Sequence, residues 1–373
     1  MHGVRIQVVD PSAYTPPYDR ALCGALARAG AEVELVTSRF AYGDVPAAEG
    51  YRVSELFYRR AGRLAASDRT RFPTKLAEHV PDMLRYRRHA RAADVVHWQW
   101  LTVQPVDAFL LPPGHPRVLT AHDILPREPR PGQMGATRRL LEKMDAVVVH
   151  SRHGAARLRK EVGLDRDRIH VIPHGAFDYL TRLPEETPLP RELAEVEGPV
   201  VLFFGLLRPY KGVEVLIEAF RNVEGAELWV VGMPRMPMEP LRDLASSVRG
   251  RVRFVPRFVD EAEIPAFFGR ADIVALPYRE IDQSGVLYTA LAFGKPIVLS
   301  AVGGFADIAE QGAARAVRAN APVELAAAIH ELLDDDAERA KLAAAAASAA
   351  AGPYSWDSIA QTTLNLYRGL LDA

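Results

Sequence analysis

Short runs of β-branched and apolar residues alternate with helical patterns through most of this 373-residue chain. Such alternation predicts parallel sheets whose strands are joined by helical crossovers. A segment with three prolines, Leu183–Pro190, separates two series of these runs. The predicted strands are Val4–Val9, Glu32–Thr37, Asp94–Trp98, Arg117–Ala121, Ala146–His150 and His170–Pro173 in the first series, and Val200–Phe204, Glu227–Val231, Val252–Val255, Ile273–Leu276 and Ile297–Ser300 in the second.

The two series predict an α/β protein with two doubly wound domains that face each other across a cleft, where sheets of this kind bind ligands. We expect the first domain in residues 1–182 and the second in residues 199–353. The segment between them, 183–198, is predicted to be a linker because it is rich in proline and acidic, weakly apolar residues.

The overall composition is typical of a soluble globular protein, with 49% hydrophobic and 25% charged residues. No apolar run approaches the ~20 residues that span a bilayer, and the first residues enter a strand without the pattern of a signal peptide. The single cysteine, Cys23, excludes an intramolecular disulfide, which fits a reducing compartment. We therefore expect a cytoplasmic protein.

The charge is distributed unevenly. Residues 1–182 hold 28 basic and 20 acidic residues, whereas the remainder holds 18 and 27. Much of the basic excess lies between Arg59 and Arg91, and such a face can bind an anionic membrane surface or a phosphorylated substrate. Alternatively, it is a solvated face without a partner. Nucleic acid is not expected as a partner, since no recognition motif accompanies the charge.

The run Phe203–Gly212 carries the most specific chemistry. An apolar strand ends at the turn residue Gly205, Arg208 and Lys211 follow three residues apart, and a helix is predicted to open at Lys211. Gly205 allows backbone to approach a ligand closely, the helix N-terminus offers N–H groups, and the two cations supply charge. This pattern is typical of a diphosphate site; the alternative is an ordinary loop with two solvated cations.

A second candidate loop follows the strand Ile273–Leu276. Glu280 lies on it, where a carboxylate can accept hydrogen bonds from sugar hydroxyls. Ser284 and Gly285 begin the next predicted helix and offer a hydroxyl and backbone N–H groups to an anion. Alternatively, Ser284 is a simple helix cap. A further glycine turn, Gly303-Gly304, follows the next strand at the same edge of the sheet.

In order and spacing, these elements resemble glycosyltransferase family 4, whose members are retaining enzymes with the GT-B fold. The first half resembles the family more loosely. The segments that carry the resemblance are Gly205–Phe220, Leu276–Ser300 and Val302-Gly303-Gly304 in the second half, His122-Asp123, His150-Ser151 and Ile172–Gly175 in the first, and the final helix 354–373, which is similar to the segment that crosses back onto the N-terminal domain.

The resemblance implies a nucleotide-diphosphate sugar as donor and a carbohydrate or lipid-linked acceptor. It implies that Arg208 and Lys211 neutralise the diphosphate, which is the main chemical task because negative charge accumulates on the leaving group. The amides of Ser284, Gly285 and Val286 would add hydrogen bonds to phosphate or sugar. It implies no metal cofactor.

The donor block departs from the family at two positions. Family members carry two glutamates eight residues apart, whereas this chain has Ile281, next to Glu280, at the first position and Thr289 at the second. We therefore place Thr289 on the ribose side of the donor site and expect the ribose to be held without the second glutamate.

The first half is expected to hold the acceptor. Its first loop, Asp10–Tyr18, lacks the paired glycines that are common in the family, and we expect Tyr14, Tyr18 and Asp19 to contact the acceptor instead. The resemblance implies that His122 lies near the reacting carbon of the sugar and holds a hydroxyl. The alternative is a structural histidine at a strand end.

Other histidines are not assigned to the site. His97 lies with Trp98 and Trp100 in an aromatic cluster that is expected to be core. His150 and His174 lack metal-ligand spacing, so no metal is predicted.

Two hypotheses of different classes follow. The first is a retaining glycosyltransferase of glycan, polysaccharide or glycolipid assembly. The second is a GT-B-like binding or partner protein without turnover, which the loss of the second glutamate motivates. A nicotinamide-dependent dehydrogenase is disfavoured because the first strand leads to Asp10-Pro11-Ser12 rather than a glycine-rich pyrophosphate loop.

Overall fold

The computed structural model describes residues 3–41, 43, 45–65, 67–101, 103–125, 131–183, 187–248 and 251–373. The chain forms two compact units, one of residues 1–175 with 356–373 and the other of residues 176–355. Each unit has its own hydrophobic core and its own fully parallel sheet. The predicted pair of Rossmann-like sheets is confirmed.

The unit boundaries differ from those predicted. Ala176, Leu193 and Val196 are buried in the core of the second unit, and so is Tyr354. Residues 176–182, the described part of the predicted linker 183–198, and residues 354–355 therefore belong to the second unit. The prolines of the linker end regular structure, but the apolar residues beside them still reach a core.

Within its described residues, the first unit contains seven strands and five helices, followed by the last helix of the chain, Trp356–Leu371. They are β1 (Arg5–Asp10), β2 (Glu32–Thr37), β3 (Arg52–Glu55), β4 (Val95–Trp98), β5 (Arg117–Thr120), β6 (Ala146–Val149) and β7 (Ile169–Val171), and α1 (Pro16–Arg28), α2 (Arg71–His89), α3 (Gln104–Leu110), α4 (Gln133–Leu141) and α5 (Arg152–Arg157).

The second unit contains six strands and eight helices within its described residues. They are β8 (Val200–Phe204), β9 (Glu227–Val231), β10 (Arg251–Val255), β11 (Ile273–Leu276), β12 (Ile297–Ser300) and β13 (Arg315–Val317), and α6 (Arg191–Ala194), α7 (Val213–Ala219), α8 (Glu239–Ser246), α9 (Ile264–Arg270), α10 (Gly285–Ala292), α11 (Phe305–Glu310), α12 (Pro322–Asp334) and α13 (Asp336–Ala351). The last helix of the chain is α14.

Both sheets have the doubly wound strand order. The first sheet runs β3-β2-β1-β4-β5-β6-β7 and the second runs β10-β9-β8-β11-β12-β13. The order reverses between β1 and β4 in one sheet and between β8 and β11 in the other. Ligands of such sheets bind at the carboxyl ends of the strands on either side of this reversal. The loops after β8 and β11 are the two candidate loops that the sequence indicates.

The last helix packs in the first unit, as predicted. It lies against α1, where Arg28 forms an ion pair of 2.6 Å with Asp357. Its Tyr367 hydroxyl lies 2.5 Å from Nδ1 of His97 on β4, and both side chains are buried. The helix is therefore fixed by a polar contact within the core as well as by its apolar face.

Among the described strands and helices, five short ones were not predicted, namely β3, β13, α3, α6 and α11. No residue of β3 or β13 is buried, and both strands lie at sheet edges. Neither strand therefore shows the apolar run from which a buried parallel strand is predicted. None of the helices that the structure describes is both long and apolar enough to cross a bilayer.

Candidate functional site

The loop after β8 brings Lys211 over Gly205. Gly205 has a φ of 104° and donates its N–H to the carbonyl of Val231 at 2.9 Å. A Cβ atom at Gly205 would lie 3.1 Å from Nζ of Lys211 and 3.0 Å from Cγ2 of Val286. The structure thus brings together three residues that the sequence assigned to the donor site, from two different loops.

The Lys211 side chain is nearly buried, with 7% of its surface exposed. Its Nζ lies 5.2 Å from the centroid of the Tyr278 ring, which is fully buried. An ammonium group above an aromatic face is stabilised by the ring quadrupole, and that contact offsets part of the cost of removing the charge from water. The result is a cation held in place beside a glycine turn.

Arg208 lies in a different environment. It is exposed, and its backbone is extended before the short turn Pro209–Lys211. The two predicted phosphate ligands therefore differ, since Lys211 is a nearly buried cation and Arg208 is an exposed one.

The helix that Lys211-Gly212 is predicted to open begins directly after these two residues. The N–H of Lys211 donates to the carbonyl of Arg208 at 3.0 Å, and that of Gly212 to Pro209 at 3.3 Å. The helix α7 begins only at Val213. The tight turn uses these N–H groups internally, so they are not available to an anion.

Two glycines hold the neighbouring loops in contact. Gly212 has a φ of 65°, and a Cβ atom there would lie 2.1 Å from the carbonyl oxygen of Pro277. At Gly303, with a φ of 53°, a Cβ atom would lie 1.6 Å from the carbonyl oxygen of Ile281. Only glycine tolerates both the backbone conformation and the close approach. The loops after β8, β11 and β12 therefore pack as one surface.

The Ser284 hydroxyl does not cap α10. Ser284 occupies the position before the helix, but its side chain makes no capping hydrogen bond and lies 3.3 Å from the hydroxyl of Tyr278. Burial raises the pKa of Tyr278, so its hydroxyl stays protonated. The simple-cap alternative is therefore wrong. The first N–H groups of α10, at Gly285 and Val286, have no partner within the helix.

Thr289 and Glu280 lie in contrasting positions. Thr289 is buried on α10, and its hydroxyl donates to the carbonyl of Gly285 at 3.1 Å. Glu280 is exposed on the loop after β11. Beside it, Arg279 pairs with Glu214 at 2.5 Å and donates to Asn320 at 2.8 Å. Thr289 thus has its hydroxyl engaged, whereas the Glu280 carboxylate is open to solvent.

In the first unit, His122 belongs to a chain of hydrogen bonds at the carboxyl edge of the sheet. Its Nε2 lies 3.0 Å from the terminal amide of Gln99, and its Nδ1 lies 3.4 Å from Nε2 of His150. Nδ1 of His150 lies 2.9 Å from the carbonyl of Ile172. Sequence reasoning missed Gln99 and His150, because only the fold brings the ends of β4, β5 and β6 together.

The histidines of this edge are neutral. Burial lowers the pKa of His97 to about 3, of His150 to about 4 and of His174 to about 3. Burial and the neighbouring histidines lower the pKa of His122 well below its usual range. A neutral imidazole has one donor and one acceptor nitrogen, so His122 is suited to hold a hydroxyl.

The acceptor-side prediction needs correction for two of its three residues. Tyr18 and Asp19 are buried, because α1 turns that face into the core. Tyr18 packs its ring edge-on against His122 at 4.7 Å. Tyr14 is exposed and lies 4.9 Å from the ring of Trp100, which in turn stacks on His122 at 5.1 Å. The rings of Tyr14, Trp100 and His122 therefore lie in a row. Of the three predicted acceptor residues, only Tyr14 is exposed.

Asp19 supports this loop from beneath. Its carboxyl group hydrogen-bonds that of Asp10, and burial raises the pKa of both, that of Asp19 well above its usual range. Asp19 therefore keeps its proton. Asp10 accepts backbone N–H bonds from Ser12, Tyr14 and Thr15, and these contacts fix the position of Tyr14.

Among the described residues, no group of three His, Cys, Asp or Glu side chains could hold a metal ion. The rings of Tyr14, Trp100 and His122 line one wall of a groove in the first unit, together with Gln104, Thr137 and Arg139.

Comparison with known proteins gives consistent matches. A family model described as Glycosyltransferase Family 4 matches residues 20–176, and one described as Glycosyl transferases group 1 matches residues 198–335. A D-inositol 3-phosphate glycosyltransferase of Xylanimonas cellulosilytica is 30% identical over 94% of this chain and 90% of its own length.

Two further matches are a more distant relative by sequence and a solved structure with a similar fold. A GDP-mannose:glycolipid 4-beta-D-mannosyltransferase of Xanthomonas campestris is 28% identical over 60% of this chain and 68% of its own length. The solved structure of Anabaena HepE in complex with UDP-glucose aligns with a TM-score of 0.72 and 20% identity, covering 98% of this chain and 100% of that one.

Proposed function

Since the chain belongs to glycosyltransferase family 4, we propose that it transfers a sugar from a nucleotide-diphosphate sugar to a carbohydrate or lipid-linked acceptor with retention of anomeric configuration. The observation that carries this proposal is the Lys211 ammonium held between Gly205 and the Tyr278 ring, beside the start of α10.

In this proposal Lys211 and Arg208 neutralise the charge that develops on the leaving diphosphate. A preorganised, buried cation is effective here because it needs little reorganisation and acts where water does not screen it. Arg208, which is exposed, would close onto the diphosphate when the donor binds. With two cations on the leaving group, the proposed reaction needs no metal.

The start of α10 would bind the donor through neutral groups. The N–H groups of Gly285 and Val286 and the hydroxyl of Ser284 lie within one turn, next to Lys211. Such a helix start favours a phosphate or a sugar oxygen. Glu280 would accept hydrogen bonds from donor hydroxyls. Thr289 would line the ribose side with its methyl group, since its hydroxyl is engaged by Gly285.

On the acceptor side, His122 would accept a hydrogen bond from a sugar hydroxyl at Nε2, in exchange for its contact with Gln99, and Tyr14 would contact the acceptor. Aromatic rings such as Tyr14 and Trp100 offer flat apolar faces with a polar edge. The relatives include an enzyme named for a glycolipid acceptor, which supports a role in glycan, polysaccharide or glycolipid assembly. We further propose that this takes place in the cytoplasm, at the inner face of a membrane.

A second candidate function is a binding protein of the same fold that has lost turnover. Thr289 favours it, because no carboxylate stands at the position of the second family glutamate. The retained cations Arg208 and Lys211 favour the enzyme instead. Turnover separates the two, since a binding protein would bind a donor without consuming it.

The experiment is a thermal-shift screen of UDP-, GDP- and dTDP-sugars, followed by a turnover assay with each donor that stabilises the protein. A donor at 100 times its dissociation constant should stabilise the folded protein by about 2.7 kcal/mol. Release of the nucleoside diphosphate supports the enzyme. Binding without release supports the binding protein, and stabilisation by no nucleotide sugar contradicts both.

A further inference from the structure

The outward face of α2 is apolar. Phe72, Leu76, Val80 and Leu84 follow one another at intervals of four residues, so they lie along one side of the helix. Their exposed fractions are 76%, 54%, 41% and 44%. We call these four residues the α2 stripe. It is about 18 Å long, at 1.5 Å per residue.

The inward face of the same helix carries both apolar and polar groups: Met83 and Tyr86 are buried in the core of the first unit, and polar side chains beside them are hydrogen-bonded. Nε2 of His79 lies 2.6 Å from Oδ1 of Asp107, and its Nδ1 lies 2.7 Å from the hydroxyl of Tyr58. Asp82 accepts the N–H of Tyr58 at 2.7 Å. These buried bonds fix the rotation of the helix. The helix therefore carries apolar side chains on two sides, whereas an ordinary surface helix turns its apolar side to the core and its polar side to water.

The segment 59–91, which contains the α2 stripe, is rich in exposed cations. The exposed basic residues of this segment are Arg59, Arg60, Arg63, Arg69, Arg85, Arg88 and Arg91. Its carboxylates are engaged by the protein: Glu78 accepts the N–H groups of Arg60 and Ala61, Asp82 is buried, and Asp68 accepts from Thr70. The segment therefore combines a row of exposed apolar side chains with an excess of exposed arginines, of which Arg85 pairs with Asp82 at 2.5 Å.

We propose that the α2 stripe inserts into the interface of an anionic lipid membrane while the exposed arginines of the same segment bind lipid headgroups. Apolar side chains and cations on one helix face are the two contributions that hold a helix in the plane of a membrane. A protein partner would need acidic groups around an apolar groove, and a second copy of this chain would bring like charges together. The charge therefore favours lipid.

The proposal adds a docking surface to the proposed function, and it can be tested without donor or acceptor. The purified full chain is sedimented with vesicles of phosphatidylcholine alone and with vesicles that contain phosphatidylglycerol as well. We expect binding to the second kind only, with a loss of binding at high salt because exposed charges are screened.

The double variant Leu76→Ser/Leu84→Ser should reduce vesicle binding at least tenfold. Val323→Ser, which changes an exposed apolar residue at the start of α12, is the matched control and should bind as the unchanged protein does. Each of Arg88→Gln and Arg91→Gln should weaken binding about fivefold. Because all these side chains are exposed, thermal unfolding should be unchanged in every variant.

Equal binding by the double variant and the control would overturn the proposal, as would failure of the unchanged protein to bind anionic vesicles. Self-association that the double variant abolishes, without vesicle binding, would instead identify the stripe as a contact between copies. Donor turnover is measured on the same samples without vesicles. Loss of vesicle binding with intact turnover separates failure of this proposal from failure of the proposed function.

Discussion

Nε2 of His150 lies 3.4 Å from Nδ1 of His122, and the protonation of both rings follows from their neighbours. Nδ1 of His150 faces the carbonyl of Ile172 and must donate to it, so its Nε2 carries the lone pair. His122 therefore donates from Nδ1 and carries its own lone pair on Nε2. The side-chain amide of Gln99 must therefore turn its NH₂ group towards Nε2 of His122. This orientation also gives Nε2 of Gln99 an acceptor, which it otherwise lacks among the described residues.

The first prediction concerns the hydrogen bond between His150 and His122. In His150→Phe the ring volume is kept but His122 loses the acceptor that sets its tautomer. We expect turnover to fall about two- to tenfold, since a buried hydrogen bond contributes about 0.5–1.5 kcal/mol, while affinity for the nucleoside diphosphate stays unchanged. His153→Phe, an exposed histidine on α5, is the control. Equal turnover in the two variants would show that His150 does not position His122.

The second prediction is a loss of stability in mild acid. The folded pKa values of His97, His150 and His174 lie at about 3 to 4, whereas histidine in an unfolded chain has a pKa of about 6.5. Between these values the unfolded chain binds more protons, so the free energy of unfolding is highest above pH 6.5 and falls as pH drops towards 4.

Urea unfolding between pH 7.5 and 4.5 measures this slope. His97→Gln should flatten it, although the variant is less stable at pH 7 because it loses bonds to Tyr367 and Thr120. His330→Gln removes an exposed histidine and should leave the slope as it is. A free energy of unfolding that does not change over this range would contradict the burial of neutral histidines.

The third prediction concerns the contact between the loops after β8 and β11. Gly212→Ala places a Cβ atom 2.1 Å from the carbonyl of Pro277 in a left-handed backbone. The backbone conformation alone costs about 1–2 kcal/mol, and the clash adds to it. Calorimetry should show a lower unfolding temperature and weaker donor binding. Gly269→Ala on α9, where a Cβ atom meets nothing within 4 Å, should be neutral or stabilising.

The sequence predicts the strands of both sheets well because buried parallel strands are short, continuous apolar runs. The sequence cannot predict which side of a helix faces the core when both sides carry residues that can be buried, either apolar side chains or polar side chains with hydrogen-bond partners. Tyr18 and Asp19 are polar residues in the first turns of α1, yet both are buried. Phe72 and Leu76 are apolar, yet both are exposed. The opposite side of α2 faces inward because Met83 and Tyr86 pack in the core there and His79 is hydrogen-bonded.

More residues of the donor site than of the acceptor side could be predicted from the sequence. Gly205, Lys211 and Ser284 are close in sequence to strand ends, and strand ends of one sheet meet at one edge, so their proximity follows from the strand order. The partner of Lys211, Tyr278, was not predicted, since nothing in the sequence indicates that its ring turns under the ammonium. The same holds for Gln99, which acts only through His122.

The central claim is that the buried Lys211 ammonium neutralises the leaving diphosphate. The most direct test compares donor turnover by Lys211→Ala with turnover by Lys341→Ala, which removes an exposed lysine of α13. We predict a loss of about 2–4 kcal/mol of transition-state stabilisation, or about 30- to 1000-fold in kcat/KM, for Lys211→Ala, partial recovery in Lys211→Arg, and no change for the control. Near-normal turnover by a folded Lys211→Ala protein would contradict the claim.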